Sequence, residues 1–82
     1  MSENRIAVLS IIVEDRAQSG RINQILSEFG DYAIGRMGIP YREKGVSVIC
    51  VALDAPCEII NNVTGKIGML DGVSAKTVTS KK

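Results

Sequence analysis

The chain has 82 residues, which is enough for a single domain over residues 1–82 but only for a small hydrophobic core. Hydrophobic residues make up 45% of the chain and aromatic residues only 4%, so the core must consist of aliphatic side chains. Ten basic and nine acidic residues leave a formal net charge of +1, which argues against a nucleic-acid interface based on charge. Histidine, the most common metal ligand and general base, is absent.

The N-terminal residues do not resemble a secretion signal, and no apolar run approaches the roughly 20 residues that span a bilayer. We therefore expect a cytoplasmic protein whose two cysteines are reduced. Cys50 and Cys57 are interpreted as packing residues, because they fall on different predicted elements and have no histidine as a partner.

The first predicted strand covers residues 5–14, whose centre is uncharged and rich in β-branched side chains. Asp15 is a candidate N-cap for a helix over residues 16–29, because its carboxylate can accept from the first free backbone N–H groups. Four apolar residues of that helix recur at i, i+3, i+4 and i+7 and form one stripe, namely Ile22, Ile25, Leu26 and Phe29. Gly30 follows as a stop signal.

The middle of the chain is predicted to form two strands, over residues 31–40 and 45–54, joined by a polar turn. The second strand contains VSVICVAL, a short uncharged run typical of a strand that is buried on both faces. Pro40 has no N–H group to donate to a β-ladder, so we expect the first strand of this pair to lie at the edge of the sheet.

A second helix is predicted over residues 56–68, with Asp54 or Ala55 as its N-cap and Pro56 in its first turn. Residues 73–79 alternate like an exposed edge strand. The order β-α-β-β-α-β predicts an α+β, ferredoxin-like fold, in which two helices cover one face of a four-stranded antiparallel sheet.

Two of the predicted strands are apolar on both faces, although two helices can cover only one face of the sheet. The other face would expose several hundred Å² of apolar surface, more than soluble monomers usually do. We therefore predict a homodimer or homotetramer. In this arrangement Val48 and Cys50 lie on the face that another copy covers, and Val51 lies under the helices.

The segments VEDR at 13–16, GRMGIPYR at 35–42 and GKIGMLDGVSAKTV at 65–78 resemble the small family of iron-only hydrogenase system regulators. The resemblance covers nearly the whole chain. It implies an ACT-like domain, similar in fold to the C-terminal domain of the nickel-responsive repressor. The family's name implies regulation of an iron-only hydrogenase system in anaerobic bacteria. The nickel site of that repressor uses histidines, so we expect no metal and no cofactor here.

The resemblance also implies an effector site, since ACT domains bind amino acids between subunits at the first strand-to-helix connection. Asp15, Arg16 and Gly20 match that region, although the usual proline is missing and the glycine comes later. Gly35 and Arg36 are a second candidate, because a guanidinium here could hold an anionic effector, or a carboxylate across a subunit boundary. The structural alternatives are an ordinary helix cap and an exposed edge-strand arginine.

The sequence shows no paired carboxylates, Ser/His arrangement, phosphate loop or metal-ligand cluster, so no catalytic residue is assigned. We interpret the chain as a non-enzymatic regulatory and oligomerisation domain that binds a small effector or a protein partner at subunit boundaries. The alternative is a purely structural assembly domain without a ligand. Neither a nucleic acid nor a membrane is expected as a direct partner.

Overall fold

Two long strands pair at the centre of the sheet, as expected for the two β-branched runs of the sequence. In the computed structural model, which describes residues 3–81, β1 (Asn4–Val13) lies antiparallel to β3 (Val46–Pro56) along its whole length. β2 (Ala33–Tyr41) flanks β3, and β4 (Val73–Thr79) flanks β1. The sheet order is therefore β2-β3-β1-β4 and all pairs are antiparallel. This confirms the ferredoxin-like fold and the prediction that the Pro40 strand lies at an edge.

The first helix begins later than the sequence predicted. Asp15 does act as a cap, but its carboxylate accepts from the N–H of Ala17 and begins a 3-10 turn over Arg16–Gln18. The α-helix α1 covers Ser19–Glu28. The bond from Ala17 is the one expected of an N-cap, but the first turn is a 3-10 turn, so the α-helix itself starts three residues later than predicted.

The second helix, α2, covers Cys57–Gly68, and its N-cap is Pro56 rather than Asp54 or Ala55. The strand before it runs on to Pro56, which pairs with Asn4 of β1. A residue that precedes proline is disfavoured in the helical region, so Ala55 stays extended and remains in the strand.

The boundaries of the hairpin also shift slightly. Residues 30–32 form a 3-10 turn, so β2 begins at Ala33 instead of residue 31. A bulge between Ala33 and Gly35 interrupts its pairing with β3. Gly45 ends the connection to β3 in the left-handed region, with φ of 66°, which favours glycine over residues with a Cβ.

The hydrophobic core lies between the helices and one face of the sheet. Alternate residues of β1 and β3 point toward the helices, and Val51 is only 3% exposed. The stripe predicted for the first helix is largely confirmed, since Ile22, Leu26 and Phe29 belong to this core and Ile25 packs against it. The other core residues are Ala7, Leu9, Ile11, Val13, Ile49, Leu53, Ala55, Ile60, Val63 and Ile67. No helix within residues 3–81 is long and apolar enough to cross a membrane.

Candidate functional site

The face of the sheet opposite the helices is apolar and is not covered within the chain. Residues that pair directly across antiparallel strands share a face, so the register identifies the members of this surface. We call it the open face; its apolar members are Ile6, Val8, Ile12, Met37, Ile39, Tyr41, Val46, Val48, Cys50, Ala52 and Val78. The large side chains on β1, β2 and β4 are each between 42% and 73% exposed. Val48 and Cys50 lie on this face and Val51 on the other, as predicted.

Charged groups lie toward the margins of the open face. Lys76 of the edge strand β4 pairs with Ser10, and Asp54 pairs with Ile6 near the end of β3. At the turn between β2 and β3, the Tyr41 hydroxyl donates to Glu43 Oε2 at 3.1 Å. Apart from the hydroxyl of Ser10, the centre of the face is apolar and its charged groups lie at the edges, which is the usual distribution in a protein–protein interface.

The two cysteines differ in their surroundings. Cys50 is half-buried near the middle of the open face, between Met37 of β2 and Ser10 of β1. Cys57 is exposed at the first position of α2, so its interpretation as a packing residue was wrong. Both thiols are free.

A second surface of interest is a cleft between α1 and β2, on the same side of the sheet as the helices. Arg36 pairs across the sheet with the buried Val51 and therefore points toward the helix layer. Its Nη2 donates to Asn23 Oδ1 of α1 at 2.7 Å. Both residues are exposed and line a cavity of about 260 Å³ whose other walls are mostly buried, so their bond lies at its open end, here called the mouth. We call this cavity the α1–β2 cleft; Leu26, Phe29, Val51, Leu53 and Val63 form its apolar lining.

The cleft exists because β2 offers little bulk to the helix layer. Ala33 lines the cleft, and Gly38 pairs with the buried Ile49 and so also faces the helix side. Every residue of β2 is exposed, including these small ones, which shows that the two helices do not cover this strand. The guanidinium of Arg36 thus lies over a gap rather than within a packed layer.

The structure places the five predicted site residues in two separate environments. Gly35 lies at the bulge of β2, next to Arg36 and the cleft. Arg36 and Asn23 also line an adjoining groove that reaches Ser19, the neighbour of Gly20. A side chain at Gly20 would meet nothing within 4 Å, so this glycine is not required for a close approach.

Asp15 and Arg16 are not among the described residues that line the cleft or its adjoining groove. Both are exposed, and the carboxylate of Asp15 is engaged by the backbone of its own turn. The structure therefore brings Gly35 and Arg36 toward the start of α1 but does not bring Asp15 or Arg16 into the same pocket.

The specific roles of two residues, one at the cleft and one at the connection between β1 and α1, were not identified from the sequence. Asn23 orients Arg36, but it lies 13 positions away along the chain and belongs to no recognisable motif. Gly72 has a φ of 73°, and its carbonyl accepts from the backbone N–H groups of Glu14 and Asp15 at 2.7 and 3.2 Å. It thereby fixes the connection between β1 and α1. The dipeptide Asp71–Gly72 is a typical turn signal and could have indicated it.

No group of three or more Cys, Asp or Glu side chains within residues 3–81 is arranged to hold a metal ion. The chemistry offered by the described residues is thus of two kinds. The open face offers a broad apolar surface, and the α1–β2 cleft offers a cationic donor above an apolar cavity.

Comparison with known proteins gives a consistent result. Residues 5–77 match the family model "TM1266-like: Iron-only hydrogenase system regulator, putative". The chain is also similar to the structure of the uncharacterized protein TM1266 from Thermotoga maritima, with a TM-score of 0.91 and 36% sequence identity. That match covers 96% of this chain and all of the other. No curated protein sequence matches the chain.

A more distant structure supports the fold alone. A formyltetrahydrofolate deformylase from Pseudomonas putida KT2440 matches with a TM-score of 0.68 and 12% identity, over 94% of this chain and 30% of the enzyme. The βαββαβ arrangement therefore also occurs as one part of a larger protein. By its match over residues 5–77 and its likeness to TM1266, the chain belongs to the TM1266-like family, which is described as "Iron-only hydrogenase system regulator, putative".

Proposed function

We propose that the protein is a non-enzymatic regulator of an iron-only hydrogenase system that works as a homo-oligomer assembled through the open face. The observation that carries this proposal is the apolar character of that face in a chain of only 82 residues. A second copy of the chain is the occupant that we assign to it. An effector or a partner protein then binds at the boundaries that the oligomer creates.

The size of the open face supports a second copy. Four strands about 4.8 Å apart and about 25 Å long form a face of roughly 500 Å², before its side-chain relief is counted. A stable interface buries about 800 Å² per partner, so this face supplies most of the area required. Burial contributes about 25 cal/mol per Å² of apolar surface, a large gain for a domain with so small a core.

The charge of the chain is also compatible with self-association. Each copy has a formal net charge of only +1, so two copies repel each other weakly. Because the charged groups of the open face lie toward its margins, an interface centred on Cys50 buries little charge. This avoids the desolvation cost that a central charged pair would impose.

Light scattering on the wild-type chain at micromolar concentration tests the assembly, and we expect a dimer or tetramer. Val48→Glu places a charge on the open face and should shift the protein toward monomer. Asn61→Glu, at an exposed position of α2, is the matched control and should leave the assembly intact. A folded wild-type monomer of 8.8 kDa, or a partner of another kind on this face, contradicts the proposed assembly.

The regulatory role requires a test in the native host. Replacing the gene by the Val48→Glu form should change hydrogenase activity to the same extent as deletion, whereas the Asn61→Glu form should behave as wild type. Unchanged hydrogenase activity after deletion contradicts the role. The alternative, an assembly domain without a ligand, predicts the same oligomer, but no small molecule should then raise its unfolding midpoint. The α1–β2 cleft favours the version with an effector.

A further inference from the structure

We propose that the α1–β2 cleft binds a short monocarboxylate with an apolar body of about five to eight carbon atoms. The carboxylate would pair with Arg36 and Asn23 at the mouth, and the hydrocarbon part would occupy the apolar cavity. This inference rests on the proposed regulatory function for its biological meaning, because it names the chemical class of the effector. The binding itself depends only on the geometry of the cleft.

The charge of Arg36 is available to a ligand. Among the described residues its hydrogen-bond partner is the neutral side chain of Asn23, and no described carboxylate lies within ion-pair distance of it. The bond to Asn23 uses one of the five guanidinium N–H groups and fixes the side chain over the cavity. The remaining donors retain the planar fork that binds a carboxylate through two hydrogen bonds.

Asn23 contributes a second donor to the same point. Its Oδ1 accepts from Arg36, so its amide NH₂ is the free end of the side chain and has two N–H groups to offer. Ser27, one turn further along α1, adds a hydroxyl to the polar side of the lining. The mouth of the cleft therefore combines one positive charge with neutral donors, as expected for recognition of a single negative charge.

The apolar lining sets the size and nature of the rest of the ligand. Val51, Leu53 and Val63 are buried core residues whose side chains form part of the wall. An enclosed apolar cavity of about 150 Å³ is known to accept benzene, and the half-open cleft of about 260 Å³ has room for a branched aliphatic or phenyl group that stays partly exposed. Transfer of the buried part of such a group from water to this lining is favourable.

Two other anion classes fit the cleft less well. A phosphate monoester carries nearly two negative charges, and a single guanidinium would leave one of them without a cation. A zwitterionic amino acid needs an acceptor for its ammonium group, but the described residues that line the cleft include no acidic side chain. The Oδ1 of Asn23 already accepts from the positive Arg36, which makes it a poor partner for a second cation. A simple carboxylate satisfies the site without an unpaired charge.

Isothermal titration calorimetry tests the proposal directly, with 4-methylpentanoate and phenylacetate as probes. We expect saturable binding of at least one acid. We expect at least tenfold weaker binding of the neutral 4-methylpentanamide, of the zwitterion leucine and of inorganic phosphate. Failure of both acids to bind at millimolar concentration overturns the proposal, as does equal binding of acid and amide.

Variants locate the site. Arg36→Gln keeps an exposed polar side chain and should weaken acid binding at least tenfold, whereas Arg42→Gln, an exposed arginine of the β2–β3 turn, should have no effect. Ala33→Leu should fill the cleft from its exposed rim and abolish binding of both acids. Full binding by Arg36→Gln or by Ala33→Leu places the ligand elsewhere and overturns the assignment.

Light scattering on the same samples separates this inference from the proposed function. If the wild type is an oligomer that binds neither acid, the proposed ligand class is wrong and the proposed assembly is supported. If the wild type is a monomer that binds the acid with the expected specificity, the proposed assembly is wrong and the ligand site in the cleft is supported.

Discussion

The two faces of the sheet contain similar aliphatic side chains but have different surroundings. On the covered face, Leu9 and Ile11 of β1 are fully buried by the helices. On the open face, their neighbours Val8 and Ile12 are 42% and 47% exposed. Burial of the covered face therefore stabilises the single folded chain. The open face can contribute a comparable free energy of burial only when another molecule covers it. Stability and assembly thus depend on alternate residues of the same strands.

The largest effect is expected for a charge on the covered face. Val51→Glu places a carboxylate among buried aliphatic groups with no partner, which typically costs several kcal/mol. Since a domain of this size has a free energy of unfolding of roughly 5–15 kcal/mol, we expect an unfolded chain or a fall in Tm of at least about 15 °C. Circular dichroism measures both the loss of secondary structure and the Tm. A folded Val51→Glu variant with wild-type Tm would contradict the assignment of the faces.

A charge on the open face should instead affect assembly. Cys50→Glu puts a carboxylate near the centre of this face and should yield a smaller species with the far-ultraviolet circular dichroism of a folded protein. Cys50→Ser, which is similar in size and uncharged, is the control and should retain the wild-type oligomer. Analytical ultracentrifugation distinguishes these outcomes. If Cys50→Glu sediments like the wild type, the interface must lie elsewhere.

Alanine substitutions at the two glycines with positive φ distinguish the cost of backbone strain from the cost of a steric clash. Gly45 has open space around it, so Gly45→Ala should cost about 1 kcal/mol through the left-handed conformation alone. A Cβ at Gly72 would also lie 2.7 Å from the Cβ of Asp15. Gly72→Ala should therefore cost about 2–3 kcal/mol, because the connection between β1 and α1 must also shift. Urea unfolding gives both values, and equal values would show that the contact with Asp15 is easily relieved.

The smallest effect is expected from nickel. The chain has no histidine, so neither face should offer a site like that of the nickel-responsive repressor. We expect no change in Tm or oligomeric state when nickel is added to the reduced protein. Stoichiometric binding with submicromolar affinity in calorimetry would disprove this expectation.

The sequence predicted those features that depend on a run of similar residues. The β-branched segments gave the central strands, the stripe from Ile22 to Phe29 gave the buried side of α1, and Pro40 placed its strand at an edge. The helix starts were less predictable, because Asp15 and Pro56 each stabilise a local alternative to the helix. The choice of N-cap typically changes helix stability by only about 1 kcal/mol, so a sequence pattern alone does not locate a helix start to the residue.

The candidate sites were predictable to different degrees. The excess of apolar residues in two strands already indicated an open face, because two helices can cover only one side of a sheet. The pair Arg36–Asn23 was not predictable, because it depends on the register of β2 after the bulge between Ala33 and Gly35. A shift of one residue would turn Arg36 to the opposite face.

That bulge has a further consequence for the behaviour of the protein at high concentration. β2 is an outer strand whose free backbone groups could recruit a strand from another molecule and start a fibre. The bulge ends regular pairing on one side, and Pro40 has no N–H group to donate on the other. Only the five residues 35–39 remain as a regular template between the bulge and Pro40, which is shorter than the roughly six or seven residues typical of a cross-β segment. The irregularity that sets the register of Arg36 should thus also limit edge-to-edge association at β2.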